Sequence, residues 1–268
     1  MKEGWVNKKL WEILVFDKRF NGISKEKQKK VASFVHVSAE KLKELKVEEG
    51  TVRLISTGLF DGFTTEELAG DYLNKGEIIT IPTGGVANIK YYEGKFVDSG
   101  NIIGIAGIKD LKIKYVYYFL LFKKEEVDSF FRGVGIKHPY MPDICEMIIP
   151  LPTEKEQEKI ILQLDLLQSL INKQQAQLKE LDNLALSFFY EMFGDPIGNE
   201  KGWEEKTIKD VGKVVTGNTP SRQIKEYYDN PYIEWIKSDN LSNERVFSSR
   251  VCGITPSVAA TTRIAPSI

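Results

Sequence analysis

The sequence contains few of the residues from which catalytic and metal centres are usually built. It has only two histidines, His36 and His138, and two cysteines, Cys145 and Cys252. Neither histidine has a partner at metal-ligand spacing, and the cysteines form no C-x-x-C pair. We therefore expect no metal site, and we expect both thiols to be reduced, as in the cytosol.

Long hydrophobic runs are also missing. The longest apolar stretch, Tyr115 to Phe122, is far shorter than the roughly 20 residues needed to cross a bilayer. The first residues, Met1-Lys2-Glu3-Gly4-Trp5, contain no apolar signal-peptide segment. These features predict a cytoplasmic protein.

Motifs of several enzyme classes are absent. There is no G-x-S-x-G nucleophile elbow, no GxxxxGK[ST] phosphate loop and no Asp/Asn-Pro-Pro-Tyr/Phe segment of an amino-methyltransferase. Thr83-Gly84-Gly85-Val86 is glycine-rich, but it lies between two predicted strands, which does not suit a dinucleotide-binding turn. Paired acids such as Glu66-Glu67 and Glu125-Glu126 are interpreted as solvated faces. No residue in the sequence indicates a catalytic site, and an independent enzyme stays open as an alternative at this point.

Charge of one sign is not in excess, since the net charge is −1. Its distribution is uneven: residues 151–200 carry 4 basic and 9 acidic side chains. Residues 1–150 carry 23 basic and 21 acidic side chains, and residues 201–268 carry 10 and 8. The net charge argues weakly against a nucleic-acid partner, although both flanking segments are slightly basic.

The strongest pattern that is present is a coiled-coil helix from Thr153 to Gly194. Apolar residues recur at alternating intervals of four and three through nearly five heptads. The predicted seam consists of Ile160, Leu164, Leu167, Ile171, Gln174, Leu178, Leu181, Ala185, Phe188 and Met192. Thr153 and Glu156 predict a capping box, and Gly194 and Pro196 predict the stop.

Such a helix is about 60 Å long and cannot bury its seam alone. We expect a second long helix, from this chain or another subunit, to cover it. The subunit-binding residues are predicted to be Ile160, Leu164, Leu167, Ile171, Leu178, Leu181 and Phe188. Packing within one globular domain is the alternative interpretation.

An internal repeat brackets this helix. The opening Gly4-Trp5-Val6-Asn7-Lys8-Lys9-Leu10-Trp11-Glu12-Ile13 recurs as Gly202-Trp203-Glu204-Glu205-Lys206-Thr207-Ile208-Lys209-Asp210-Val211. We predict a first module at 1–152, a spacer helix at 153–195 and an incomplete second module at 202–268. After Val251 the sequence is rich in Ala, Thr, Ser and Pro and has no acid.

The first module is expected to be mixed α/β, of the α+β type. The predicted strands are 52–55, 77–81, 86–92, 102–108 and 147–151, and the predicted helix is 114–131. Its basic loop contains Lys18 and Arg19 and suits phosphate contacts, although a solvated, lysine-rich helix start is an equally weighted alternative. Thr83, Asn88 and Lys90 follow one glycine turn, and other polar donors lie in a second glycine-rich loop at 132–138. Such donors suit the reading of base edges.

Several motifs, in this order, resemble those of type I restriction–modification specificity subunits. The first two are the repeated Trp segment and Gly76 to Gly84 followed by 88–96. The third is Ile149-Pro150-Leu151-Pro152 leading into Glu156-Gln157 and the long helix, which ends in Met192-Phe193-Gly194. The last is Thr216-Gly217-Asn218-Thr219-Pro220-Ser221 followed by Trp235 to Leu241. The resemblance covers about 1–245. In that family two target recognition domains each read half of a split DNA sequence, and antiparallel helices separate the domains.

The resemblance implies double-stranded DNA as ligand and modification (methyltransferase) and restriction subunits as partners. Catalysis would reside in those subunits, with S-adenosylmethionine bound by the modification subunit and no cofactor in this chain. The implied DNA-binding residues are Lys18, Arg19, Ser56, Thr57, Thr83, Asn88, Lys90, Arg132, Lys137, His138, Thr219, Ser221, Arg222 and Lys237. A homodimer through the long helix would present two identical readers. The alternatives are a coiled-coil assembly protein, a non-functional remnant and a recombination cassette.

Overall fold

A computed structural model describes residues 4–17, 32–213, 219–221, 223–229, 233–235 and 252–254. The chain forms two compact units, Met1–Asp182 and Asn183–Ile268, and the boundary between them lies within one long helix.

The first unit is mixed α/β, as predicted. Its strands are β1 (Val6–Lys9), β2 (Leu14–Phe16), β3 (Val52–Ile55), β4 (Asp61–Thr64), β5 (Asn74–Pro82), β6 (Lys90–Asp98), β7 (Asn101–Ala106), β8 (Phe131–Arg132), β9 (His138–Pro139) and β10 (Ile148–Leu151). Its helices are α1 (Leu10–Ile13), α2 (Ala39–Glu44), α3 (Glu66–Ala69), α4 (Ile113–Phe122), α5 (Lys124–Ser129), α6 (Met141–Glu146) and the start of α7 (Glu154–Phe193).

Six strands form the main sheet, in the order β2-β7-β5-β6-β3-β4. The β3–β6 pair is parallel and the other pairs are antiparallel. Strands β1 and β10 form a separate antiparallel pair, which joins the start of the unit to the segment before α7.

The sheet bends sharply along β5. Phe96 of β6 pairs with Asn74 at one end of β5, whereas Asn101 of β7 pairs with Pro82 at the other end. A straight nine-residue strand would separate its ends by about 26 Å. The five-residue step from β6 to β7 spans at most about 18 Å, so β5 must curve. The facing pair Gly76 and Gly94 has no side chains to resist this bend.

Both central strands β5 and β7 contain continuous runs of buried residues, as expected for a sheet covered on both faces. Ile79 and Ile81 of β5 join the largest cluster, which the apolar residues of α1, α4, α5 and α6 complete. Ile78 points the other way and packs with Phe96 and Ile103. These two clusters of buried side chains therefore cover the two faces of the central strands.

Two predicted elements were placed incorrectly. Strand β6 starts at Lys90 and not at residue 86, because the Ala87 N–H donates to Asp128 Oδ1 (2.9 Å) and not to a neighbouring strand. The predicted helix 114–131 is interrupted at Lys123 and ends at Ser129. Phe131 is extended instead, since it pairs with Pro139.

The long helix α7 agrees with the prediction of Thr153 to Gly194 within one residue at each end. Glu156 Oε2 accepts hydrogen bonds from the Thr153 N–H (3.4 Å) and hydroxyl (3.2 Å), as a capping carboxylate does. Further along the helix, Asp165 accepts from Lys114 Nζ (2.7 Å) and the Tyr118 hydroxyl (2.5 Å) of α4. These contacts hold the first turns of α7 against the first unit.

Gln157 makes the most buried of these attachments, and it was not predicted. Its side chain is 2% exposed. Its Nε2 donates to the Pro152 (3.1 Å) and Asp110 (3.3 Å) carbonyls, and its Oε1 accepts from the Lys112 N–H (2.9 Å).

Replacing Gln157 with leucine is expected to lower the free energy of unfolding by about 2–4 kcal/mol, because it leaves a buried N–H and two carbonyls unpaired. Urea denaturation of the full chain measures this. The matched control is Gln168→Leu on the exposed part of the helix, where the expected change is below about 0.5 kcal/mol. Equal effects of the two substitutions would contradict the assignment.

The second unit begins with the last turns of α7. The Gly194 N–H donates to the Tyr190 carbonyl (2.8 Å), and Lys201 Nζ donates to the Met192 carbonyl (3.0 Å), so the end of the helix is capped. Trp203 also donates its indole N–H to the Phe193 carbonyl (2.9 Å).

The repeat recurs in structure as a short capped helix. In the first copy the Lys9 N–H donates to Glu12 (2.6 Å), and in the second copy, at α8 (Ile208–Val211), the Thr207 N–H donates to Asp210 (2.8 Å). Burial differs between the copies: Leu10 and Ile13 are fully buried, whereas Ile208 and Val211 are each 70% exposed. Strands β11 (Ile233–Trp235) and β12 (Cys252–Ile254) pair antiparallel.

Candidate functional site

Four segments that are distant in sequence meet at one surface of the first unit. They are the 56–60 loop after β3, the 83–89 connection before β6, the turn 99–100 between β6 and β7, and the 133–137 loop between β8 and β9. Hydrogen bonds connect each of them to at least one of the others. We call these four segments the loop cluster. Eight of the predicted DNA-binding residues lie in it or directly beside it.

The 56–60 loop is held through its own carbonyl groups. Lys90 Nζ donates to the Ser56 and Gly58 carbonyls, both at 2.6 Å. Asn88 Nδ2 donates to the Thr57 (3.0 Å) and Gly58 (2.9 Å) carbonyls. The Ser56 hydroxyl lies 3.4 Å from the Gly58 and Phe60 carbonyls. The loop is therefore fixed by side chains from the adjoining connection.

The turn at Gly100 joins two of the predicted residues. The Thr83 N–H (2.9 Å) and hydroxyl (2.7 Å) both donate to the Gly100 carbonyl. Gly100 has a φ of +77°, and a Cβ there would lie 2.9 Å from Thr57 Cγ2. Only glycine therefore meets both requirements of this turn, its backbone conformation and its close approach to Thr57.

A buried polar network lies directly behind this turn. Asp98, which is fully buried, accepts from Asn101 Nδ2 (2.7 Å) and the Asn101 N–H (3.3 Å). His36 lies between two carboxylates, with Nδ1 2.7 Å from Asp98 and Nε2 3.1 Å from Asp17. The network anchors the turn to the interior of the sheet.

The 133–137 loop is attached through the connection before β6. His138 Nδ1 lies 2.6 Å from the Thr83 carbonyl, and the Gly85 N–H donates to the Lys137 carbonyl (2.8 Å). Arg132 pairs with Asp143, and its guanidinium lies 4.2 Å from the centre of the Tyr140 ring. Stacking on an aromatic ring leaves part of a guanidinium fork available to a second acceptor.

A groove of about 570 Å³ opens beside the 56–60 loop. Its lining includes Arg53, Phe60, Asn88, Lys90 and Tyr117. Burial and then the Arg53 charge lower the pKa of the Lys90 ammonium. Among the other lining groups, Arg53 is paired with Asp61 at 2.7 Å.

Tyr91 also lines the groove, and burial and the nearby Glu77 carboxylate raise the pKa of its hydroxyl. The phenol therefore keeps its proton at neutral pH and donates to Glu77 (3.1 Å). Asp61, the acidic residue of the lining, is already paired with Arg53, so the walls of the groove offer more aromatic and donor groups than free carboxylates.

Sequence reasoning missed the apolar side chains at the tips of these loops. Leu59 is 95% exposed and Val134 is fully exposed, and Val86 and Ile136 are also largely exposed. Each of these apolar residues lies in a loop that also contains glycine. An apolar residue in such a loop is the sequence feature that could have identified them. The polar donors, in contrast, were predicted by type, and their first role in the structure is to hold the loops.

The remaining predicted DNA-binding residues are not part of this cluster. Lys18, Arg19, Arg222 and Lys237 lie outside the described residues. Thr219 and Ser221 belong to the second unit, where the Ser221 hydroxyl accepts from the Gln223 N–H (3.3 Å).

The predicted seam is largely exposed. Leu167, Ile171, Leu178, Leu181 and Phe188 project into solvent and Leu164 is half-buried, whereas Ile160 packs against the core of the first unit. Ile160 is thus already covered by its own domain. Exposed apolar residues also lie beside the seam, so that the stripe is wider than predicted: Leu162, Leu166, Leu170, Leu184 and Leu186.

Within the part of the chain that the structure describes, no group of His, Cys, Asp and Glu side chains could hold a metal ion. Among those same residues, no helix is both long and apolar enough to cross a membrane.

Comparison with known proteins gives a consistent set of relatives. Residues 3–181 match the family described as type I restriction modification DNA specificity domain. The specificity subunit of the type I restriction enzyme MjaIX from Methanocaldococcus jannaschii is 31% identical over 148 residues, which cover 48% of this chain and 33% of that protein.

Solved structures give weaker likenesses. A type I restriction–modification S subunit from M. genitalium aligns with a TM-score of 0.49 and 16% identity over 86% of this chain and 58% of that chain. The HsdS subunit from Thermoanaerobacter tengcongensis aligns with a TM-score of 0.43 and 14% identity over 73% and 46%. The present chain thus spans one third of the length of the curated relative and about half that of these two chains.

Proposed function

The chain belongs to the type I restriction modification DNA specificity domain family, and we propose that its first unit binds duplex DNA in a sequence-dependent manner through the loop cluster. DNA recognition requires groups that can reach base edges and a frame that fixes their positions. The loop cluster has both features.

The observation that carries this proposal is the cross-connection of the loops. Lys90 and Asn88 fix the 56–60 loop, and Thr83 links the Gly100 turn to His138. Loops without such ties would lose conformational entropy on binding, which weakens affinity. A surface that is built from several loops and fixed before binding is suited to discriminating one sequence from another.

Partner subunits complete the proposed function. Methyl transfer with S-adenosylmethionine belongs to a modification subunit and cleavage to a restriction subunit, while this chain directs both to a DNA site. The exposed stripe of α7 supports this division, because it is too long and too apolar to remain in water without a partner. A second copy of the chain and the modification subunit are both suited to cover it. A homodimer would present two identical loop clusters and would select a palindromic site.

A mobility-shift assay with the full chain, alone and with the modification subunit, tests the proposal. A pool of random duplexes is selected at low salt, and the selected sequences are compared with the starting pool. The expected result is an enriched motif. Binding that depends on salt but shows no enrichment would indicate an assembly protein without DNA recognition.

Arg132→Ala is expected to weaken binding to the selected duplex by about tenfold or more, since it removes a guanidinium aimed at the surface. Asp143→Asn is the matched variant: it removes the acid that competes for Arg132 and is expected to bind at least as tightly as the wild type. Titration of both variants against selected and scrambled duplexes measures this. A weaker Asp143→Asn protein, or an unchanged Arg132→Ala protein, would remove Arg132 from the interface.

A further inference from the structure

The loop cluster carries large apolar side chains where a purely polar surface would be expected. Leu59 lies at the tip of the 56–60 loop and is 95% exposed, and Val134 at the tip of the 133–137 loop is fully exposed. Single exposed apolar residues are common on protein surfaces and need no explanation by themselves. Their positions on these particular loops do need one.

Hydrogen bonds on both sides of Leu59 fix the loop that carries it. The carbonyls of Ser56, Thr57, Gly58 and Phe60 on either side of it all accept side-chain hydrogen bonds. These bonds leave the leucine side chain as the outermost group of the loop. So many contacts around one exposed side chain are consistent with a role for Leu59 in binding.

Val134 has a comparable frame. Gly133 has a φ of +140°, and a Cβ there would lie 2.8 Å from the Ile136 carbonyl, so that the loop turns tightly at that point. The Gly85 N–H and His138 tie the end of the same loop to the connection before β6. Val134 therefore projects from a fixed turn between two glycines.

Four exposed apolar side chains, Leu59, Val86, Val134 and Ile136, are distributed over three loops of the cluster, and hydroxyl, amide and ammonium groups stand on or beside the same loops. Such a mixture of apolar and polar groups matches the pattern of the DNA major groove. There the thymine 5-methyl is the one apolar group among donors and acceptors on the base edges. A protein that makes only polar contacts with the base edges does not recognise that methyl group.

We propose that Leu59 and Val134 are specificity-determining residues that contact thymine 5-methyl groups in the major groove. This inference rests on the proposed function and adds the identity of a feature that is read. Loss of one methyl contact should weaken binding about three- to fivefold, and loss of the whole leucine tip should weaken it more.

The test uses the full chain with its modification subunit and the duplex selected above. Each thymine in turn is replaced by deoxyuridine, which removes only the methyl group. The wild type should lose affinity about three- to fivefold at one or more positions. Leu59→Ala or Val134→Ala should lose affinity for the thymine duplex and become insensitive to deoxyuridine at its own position.

Leu68→Ala is the matched control. Leu68 is an exposed leucine on α3, which follows the end of β4 opposite to the 56–60 loop. This variant should keep both the affinity and the deoxyuridine sensitivity of the wild type, and circular dichroism checks that each variant is folded.

These experiments distinguish a failure of the proposed DNA recognition from a failure of the proposed methyl contacts. If the wild type shows no sequence preference, the proposed function fails. If it prefers the selected duplex but is insensitive to every deoxyuridine, or if Leu59→Ala and Val134→Ala keep the wild-type sensitivity, the present inference fails alone. It also fails if these variants lose only their affinity for the modification subunit, because the tips would then be protein contacts.

Discussion

Replacing Asp98 with alanine is expected to lower the free energy of unfolding by about 3–5 kcal/mol. The carboxylate is fully buried and receives hydrogen bonds from Asn101, and the His36 ring lies 2.7 Å from it. Its removal takes away an acceptor that Asn101 and the His36 ring share inside the sheet, and the Asp17 carboxylate reaches only the other nitrogen of the ring.

Urea denaturation of the full chain measures this loss. The matched control is Asp61→Ala, which removes an exposed carboxylate paired with Arg53 at 2.7 Å. Water replaces that pair, so that the expected change is below about 1 kcal/mol. If Asp98→Ala were no more destabilising than Asp61→Ala, the buried network would not support the sheet.

The same substitution should also affect the loop cluster. Asp98 fixes the start of the turn that carries Gly100, and Gly100 receives both hydrogen bonds from Thr83. A protein that remains folded at low temperature should therefore bind the selected duplex with less discrimination. Asp61→Ala should retain that discrimination, because its carboxylate makes no contact with the turn.

Leu178→Glu is expected to weaken assembly through α7 by about 100-fold or more. Leu178 lies near the middle of the predicted seam and is exposed in the single chain. A partner helix would bury its side chain, and a buried, unpaired carboxylate is costly. The helix itself should persist, because glutamate is a good helix former.

Sedimentation equilibrium measures assembly of the chain alone and with the modification subunit. Gln177→Glu adds the same charge at the adjacent position and should assemble like the wild type. An unchanged Leu178→Glu assembly would show that the seam is not the interface. A wild-type chain that stays monomeric under both conditions would contradict the proposal that a partner covers the stripe.

The strongly periodic parts of the structure could be predicted from the sequence. Helix α7 was located within one residue at each end, because an alternating 4-3 pattern, a capping threonine and a terminal glycine all indicated the same element. The repeated Trp segment predicts two related module starts, and that division stays a prediction. Both copies form a short capped helix.

The errors occurred where long-range contacts override local preference. Residues 86–89 are apolar enough to suggest a strand, but Asp128 takes the Ala87 N–H, and Ala87 and Ile89 are buried in the core. No local signal predicts a partner 41 residues away. Gln157 was missed for the same reason, since its three partners become neighbours only after folding.

The sequence predicted which polar residues lie at the candidate site, but it did not predict that they hold the loops together. Lys90, Asn88 and Thr83 do meet in space, but their donors are used on neighbouring carbonyls. The side chains left outermost are Leu59 and Val134, whose apolar character gave no reason to nominate them. That these tips and the loop cluster contact DNA stays a prediction.

Photocross-linking tests the central claim most directly. Duplexes of the selected sequence carry 5-iododeoxyuridine in place of each thymine, and cross-linked peptides of the full complex are identified by mass spectrometry. The account predicts cross-links in the 56–60 and 133–137 loops, lost when the duplex is scrambled. Cross-links confined to α7 or to the second unit, with none in these loops, would contradict it.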